Sequence, residues 1–140
     1  MLEEIVDMAK ELPDFEYIRS IPEIGDNLAS RILAELGDIN KFNNANQIVA
    51  YAGIDPQIYQ SGQVLGNHLK ISKKGNKNLR CLLFLAVTCM IKQSISSSIV
   101  DFYKKKKASG MKPKAAIVAA MNKTLRIIYS LCKNDSFFKQ

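Results

Sequence analysis

Helical periodicity constrains this chain most, together with the one place where it stops. Leu2, Ile5, Val6, Met8 and Ala9 are apolar at helical spacing, and Pro13 ends that run. A linker or short helix is expected up to Ser20. After the turn IPEIG, Leu28, Ile32, Leu33 and Leu36 share one face, and Gly37 is placed to close the helix. Asn44 can cap a short helix with Gln47 in the capping-box position, Ile48, Val49 and Ala52 as its face and Gly53 as its end. Asn76 can cap the most apolar helix, to about Ser94, which is expected to be central. A further helix from about Ser98 to Lys107 shows Ile99, Phe102 and Tyr103. The SGMKP break follows, and Pro113 suits the first turn of a last helix to about Cys132. From Gln57 to Gly75 the period vanishes. Glycines fall at 62, 66 and 75, and Ile58–Tyr59 with His68–Ile71 are candidates for an irregular β-hairpin. The expected fold is mainly α: a helical domain with a small irregular β-hairpin or loop.

The 140 residues are one domain's worth of chain, enough to bury a core. The longest uninterrupted apolar run, Cys81 to Val87, is seven residues. A membrane span needs roughly 18 or more, so no membrane partner is expected. No charged-then-apolar leader opens the sequence, so no secretory signal is expected. Three cysteines in apolar helical runs read as reduced core thiols and a cytoplasmic location. There is no CxxC and His68 is the one histidine, which argues against a structural zinc site.

Charge is divided along the chain. Residues 1–40 hold three basic side chains and ten acids, net −7, whereas residues 56–140 hold sixteen and two, net +14. A strongly basic segment joined to an acidic one suggests a polyanionic partner for the basic part.

Four stretches carry candidate chemistry. IPEIG, Ile21 to Gly25, has the form of a helix-hairpin-helix turn. In such a turn the backbone N–H groups around Ile24 and Gly25 face an anion at a helix N-terminus. The usual motif has a second glycine where this chain has Glu23, and a carboxylate there works against phosphate. The alternative is an ordinary packing joint. KISKKGNKNLR gathers Lys70, Lys73, Lys74, Lys77 and Arg80 around Gly75 and the helix start at Asn76, with no acid. That combination suits backbone phosphate contact without reading bases. Lys104–Lys107 reads equally as a solvated face or as a second phosphate contact. Ser61, in QSG, has no carboxylate between it and His68, seven residues away, which argues against a Ser-His-Asp hydrolase. From the residues alone it reads as a Ser-Gly turn. Ten of the thirteen acids lie in the first 40 residues, scattered along amphipathic helices, so no metal site is expected in this chain.

The ordered motifs IPEIG, ILAELGDINKF, ANQIVAYAGIDP, QSG and ISKKGNKNLRCLL resemble the C-terminal domain of the DEDD insertion-sequence transposases of the IS116/IS110/IS902 family. The resemblance runs from about Asp14 to Gln93, and more loosely beyond. It implies a recombinase whose N-terminal RuvC-like domain holds an acidic site for a divalent metal, Mg. It implies a helical C-terminal half that supplies a serine nucleophile, here Ser61. It further implies DNA as a partner, a guide (bridge) RNA in studied members, a homo-oligomer, and a bacterial or archaeal, nucleoid-associated setting. Within residues 1–140, one domain is expected: a helix-hairpin-helix element over about 14–37, a serine loop over about 54–75 and a helical core over about 76–134. That leaves no room for the RuvC-like domain. On this reading the chain binds nucleic acid and by itself catalyses nothing. The alternative is a non-catalytic helix-hairpin-helix DNA-binding module.

Overall fold

The computed structural model describes residues 2–54 and 75–139; the expected hairpin of Ile58–Tyr59 with His68–Ile71 lies outside them. The described residues form seven α-helices and one 3-10 turn, with no strand among them. The helices are α1 (Leu2–Lys10), α2 (Pro13–Arg19), α3 (Asp26–Leu36), α4 (Ala45–Ala52), α5 (Lys77–Lys92), α6 (Ser98–Ala108) and α7 (Pro113–Lys133); the 3-10 turn is Ile39–Lys41. The protein is mainly α, as the periodicity requires.

The helix ends are set locally. Pro13 stands in the first turn of α2, where its missing N–H is not needed, so it opens that helix as well as closing α1. Asn44 accepts the Gln47 N–H at 3.0 Å, while the Gln47 side chain accepts the Asn43 N–H at 2.7 Å, a capping box displaced by one residue. The Asn76 side chain accepts the Leu79 N–H at 3.0 Å and Ser97 caps α6 in the same way. Gly37 and Gly53 end α3 and α4 with φ of 68° and 73°.

The central helix is α7, and this corrects the expectation that α5 would be. α7 packs against α2, α4, α5, α6 and the 3-10 turn. Ala116, Ala119 and Ala120 are among its buried residues, and such small side chains let neighbouring backbones come close. By length and composition α7 also satisfies the test for a membrane span, but 61% of that stretch is buried inside the protein. The more apolar α5 buries Leu79, Leu82, Leu83, Ala86, Val87 and Met90 and leaves Phe84 and Leu85 about half exposed. Phe15, Ile18, Ile32, Ile48, Leu83 and Leu125 are buried to 1% or less. Each such side chain contributes about 1.5–3 kcal/mol. The C-terminal tail returns to α2, where the Phe138 N–H donates to Ser20 Oγ at 2.8 Å and Phe137 meets Tyr17 edge-on.

The cysteines do not all sit in the core. Cys132 is buried, Cys89 is partly covered and Cys81 is exposed, because Cys81 lies on the uncovered side of α5. Burial, and then the neighbouring Asp14 carboxylate, push the Cys132 thiol up to about 12. Asp14 is itself raised, by burial first and then by Asp135 and Asp38.

Candidate functional site

The two ends of the 55–74 segment meet. The Asn76 N–H donates to the Tyr51 carbonyl at 2.9 Å, which ties the start of α5 to the end of α4. The Tyr51 hydroxyl donates to the Glu35 carbonyl of α3 at 2.8 Å and accepts from Asn76 Nδ2 at 3.3 Å. Arg80 Nη1 donates to the Ala52 carbonyl at 3.1 Å. Between these straps Gly53 and Gly75 lie backbone to backbone. A Cβ on Gly75 would stand 2.6 Å from the Gly53 Cα and 2.8 Å from the Ala52 oxygen; one on Gly53 would stand 2.9 Å from the Gly75 Cα. A side chain at either position would force the backbones or Arg80 to shift, so Gly53 and Gly75 form a pinched neck.

Three of the expected site residues belong to this neck and differ in use. Asn76 is occupied as helix cap and strap. Arg80 is half-buried and turned onto the Ala52 carbonyl, so at least part of its donor set serves the fold. Lys77 is exposed in the first turn of α5, which contains no acid. Ser61, Lys70, Lys73 and Lys74 lie outside the described residues.

Ile24 and Gly25 are elsewhere. They stand before the N-terminus of α3, while Glu35, which receives Tyr51, is at its other end, roughly 15 Å of helix rise away. Ile21 and Ile24 are buried, and the space above Gly25 is open. The surroundings are acidic, however. Asp26 pairs with Arg19 and lies 3.6 Å from Lys10, and Glu3 and Asp7 line the same hollow as Asp26 and Asn27. Glu23 has φ 66°, the left-handed conformation that glycine adopts without penalty. The sequence departure at Glu23 is therefore a backbone strain as well as a misplaced charge.

No group of three or more His, Cys, Asp or Glu side chains comes together in metal-holding range among the described residues. Asp14, raised first by burial and then by the charges of Asp135 and Asp38, faces the Cys132 thiol, which burial keeps protonated.

Sequence reasoning missed Tyr51 and the contact of Gly53 with Gly75. A glycine near each end of the stretch where the sequence loses its helical period was the available signal. It also missed that Lys106 and Lys123 converge on Phe102. The i, i+4 spacing of Phe102 and Lys106 was legible, but the arrival of Lys123 from α7 was not.

Residues 15–104 match the transposase IS116/IS110/IS902 family, and the chain belongs to that family. It is 28% identical over 130 residues to a pilin gene-inverting protein of Moraxella lacunata, covering 90% of this chain and 40% of that protein. It is 30% identical over 140 residues to the transposase for insertion sequence element IS1111A of Coxiella burnetii, covering 98% of this chain and 38% of that one. An insertion element IS116 protein of Streptomyces clavuligerus is 26% identical over 124 residues, covering 88% and 30%. The chain thus spans about a third of the length of these relatives.

Proposed function

We propose that this chain is the serine-bearing, nucleic-acid-binding part of a recombinase that mobilises an insertion sequence by cutting and rejoining DNA strands. The observation that carries the reading is the neck. On the family resemblance Ser61 is the nucleophile, and the stretch that contains it runs between Gly53 and Gly75, whose backbones lie side by side at the α4–α5 junction. A reacting group gains from such fixed ends because orientation lowers the entropy lost at the transition state. Ser61 Oγ would attack a strand phosphorus. A new Oγ–P bond forms as the bond from phosphorus to the leaving deoxyribose oxygen breaks, the serine proton passes to a base, and the leaving oxygen takes up a proton. Attack by the hydroxyl of the incoming strand reverses these changes and frees the serine. Lys70, Lys73, Lys74 and Lys77 would hold the backbone phosphates. A divalent metal, if required, would come from residues outside this chain, in keeping with a RuvC-like domain beside it. A guide RNA and self-association are part of the same reading.

The non-catalytic helix-hairpin-helix alternative is the weaker reading. It would place phosphate at Ile24 and Gly25, where Glu3, Asp7, Glu23 and Asp26 already supply negative charge.

The test is covalent capture. A full-length transposase carrying this chain is given its element ends, divalent metal and cognate RNA, denatured, and examined for a protein–DNA adduct. An adduct mapped to Ser61 by mass spectrometry, and lost in Ser61→Ala while binding persists, is expected. Binding and recombination that survive Ser61→Ala would leave Ser61 as a turn residue.

A further inference from the structure

The α6–α7 hairpin carries charge that the fold itself does not use. Lys106 of α6 and Lys123 of α7 stand over the same ring, that of Phe102, at 5.2 and 5.0 Å from its centroid. One residue along, Lys107 stands 5.7 Å from the centroid of Tyr103. Both rings are half-buried, so they are partly open to solvent. The two ammonium groups over Phe102 lie within about one Debye length, roughly 10 Å at 0.1 M salt, and repel each other.

No neighbouring carboxylate relieves this. Asp101 is the one acid between Ser97 and Lys133. None of Lys104–Lys107, Lys112, Lys114 or Lys123 has a carboxylate partner among the described residues, whose ion pairs all fall on Lys10, Glu16, Arg19 and Asp26. The helix dipole explains part of the pattern. Lys105, Lys106 and Lys107 occupy the last turn of α6, where cations are favoured. The same dipole disfavours Lys112 and Lys114, which stand at the start of α7, and that first turn contains no acid. Forces within the chain therefore account for only half of this surface.

We infer that the α6–α7 hairpin is a nucleic-acid surface in its own right, on which Lys106, Lys107 and Lys123 grip a phosphodiester backbone while Phe102 and Tyr103 hold them in place. It rests on reading the chain as a nucleic-acid-binding part of a recombinase. Lysines set over aromatic rings present fixed cations beside an apolar face, which suits alternating phosphates and sugars or bases. From Lys112 to Lys123 α7 rises about 16 Å, a length over which duplex DNA offers roughly ten phosphate charges. A recombinase must hold more than one strand at once, so a second surface has a use. Phosphodiester is common to DNA and RNA, and the experiment separates them.

The full chain is titrated into a labelled 30-base-pair DNA duplex and, separately, a labelled RNA hairpin, across a series of salt concentrations. The double variant Lys106→Gln/Lys123→Gln is compared with Lys92→Gln/Lys139→Gln, which removes the same charge elsewhere. In at least one arm the first variant is expected to weaken binding ten-fold or more at 0.1 M salt. It should also lower the slope of log affinity against log salt by about 1.4–1.8, with less than a three-fold loss for the control. The arm that responds names the nucleic acid. Phe102→Leu, which keeps every charge, is expected to lose about two- to five-fold. Equal behaviour of the two double variants in both arms would overturn the inference. So would an effect confined to sedimentation, which would make the hairpin a contact between copies. If Lys70→Gln/Lys73→Gln/Lys74→Gln abolishes binding while Lys106→Gln/Lys123→Gln does not, only this inference falls. If the unaltered chain binds neither nucleic acid, the proposed binding role falls with it.

Discussion

Two helix N-termini in this protein look alike in sequence and differ in what they offer. α3 begins after IPEIG with Gly25 as its N-cap and no side-chain cap, and α5 begins after SKKGN with Asn76 as its N-cap and the Leu79 N–H taken by that side chain; each has further first-turn N–H groups without an intrahelical partner. Around α3 the hollow is lined by Glu3, Asp7 and Asp26, and the cations that reach it, Arg19 and Lys10, are paired. Around α5 the first turn itself has Lys77 and no acid, one carboxylate, Glu35 of α3, accepts from Asn78 at 3.4 Å, and the junction is fixed by Gly53, Gly75, Tyr51 and Arg80. A helix N-terminus is a phosphate site only where the neighbouring side chains have not already supplied the negative charge. The glycines differ as well: Gly25 has open space beyond it and Gly75 has a backbone against it.

The largest expected effect follows from that difference in glycines. Gly75→Ala drives a methyl to 2.6 Å of another backbone, so it should cost about 3 kcal/mol. Gly53→Ala should cost at least as much, since φ of 73° adds left-handed strain. Gly25→Ala meets nothing and should cost under about 1 kcal/mol, from the poorer cap alone. Urea unfolding of the three variants checks this, and equal midpoints would dissolve the contrast between the two junctions.

The arginines come next. Arg80→Met removes the donor to the Ala52 carbonyl and should destabilise by about 1–3 kcal/mol. Arg19→Met breaks exposed pairs with Asp26 and Glu16 and should cost under about 1 kcal/mol. Thermal melts at low and high salt would separate them, because only the Arg19 effect should fade with salt.

At Glu23 the expected change has the opposite sign. Glu23→Gly relieves the left-handed strain at φ 66° and should stabilise by about 1 kcal/mol. It also removes a carboxylate from the α3 turn. Duplex binding should nonetheless change less than two-fold, because Asp7 and Asp26 remain. A large gain in affinity would restore the turn at Ile24 and Gly25 as a phosphate site.

The smallest effect is a pH dependence. Cys132 is held up at about 12 in the fold against an ordinary value near 9. The folded state therefore keeps its proton where the unfolded chain loses it, and stability should fall as pH rises above about 9. Cys132→Val should flatten that fall between pH 9 and 10.5, as read by urea midpoints. An unchanged slope would mean that the thiol is not the group responsible.

Much of this was legible in the chain. The caps at Asn44 and Asn76, the prolines at 13 and 113 and the apolar faces of α3 and α4 follow from rules reaching only three or four residues, whereas α6 buries Ile99 and Val100 and leaves the expected Phe102 and Tyr103 partly open. Side-chain oxygens, ring closure and the 3.6-residue period act at that range, so sequence alone determined a mainly helical protein and nearly all its boundaries. The motif order likewise carried the family. Hydropathy pointed to α5 as the central helix, and tertiary structure chose α7, because its small buried side chains admit neighbours on several sides. Tertiary structure alone set Gly53 against Gly75 across twenty-one residues, turned Arg80 onto Ala52, and brought Lys123 to a ring already held by Lys106. Such contacts join residues far apart in the chain. They depend on how whole helices pack, which no local pattern encodes.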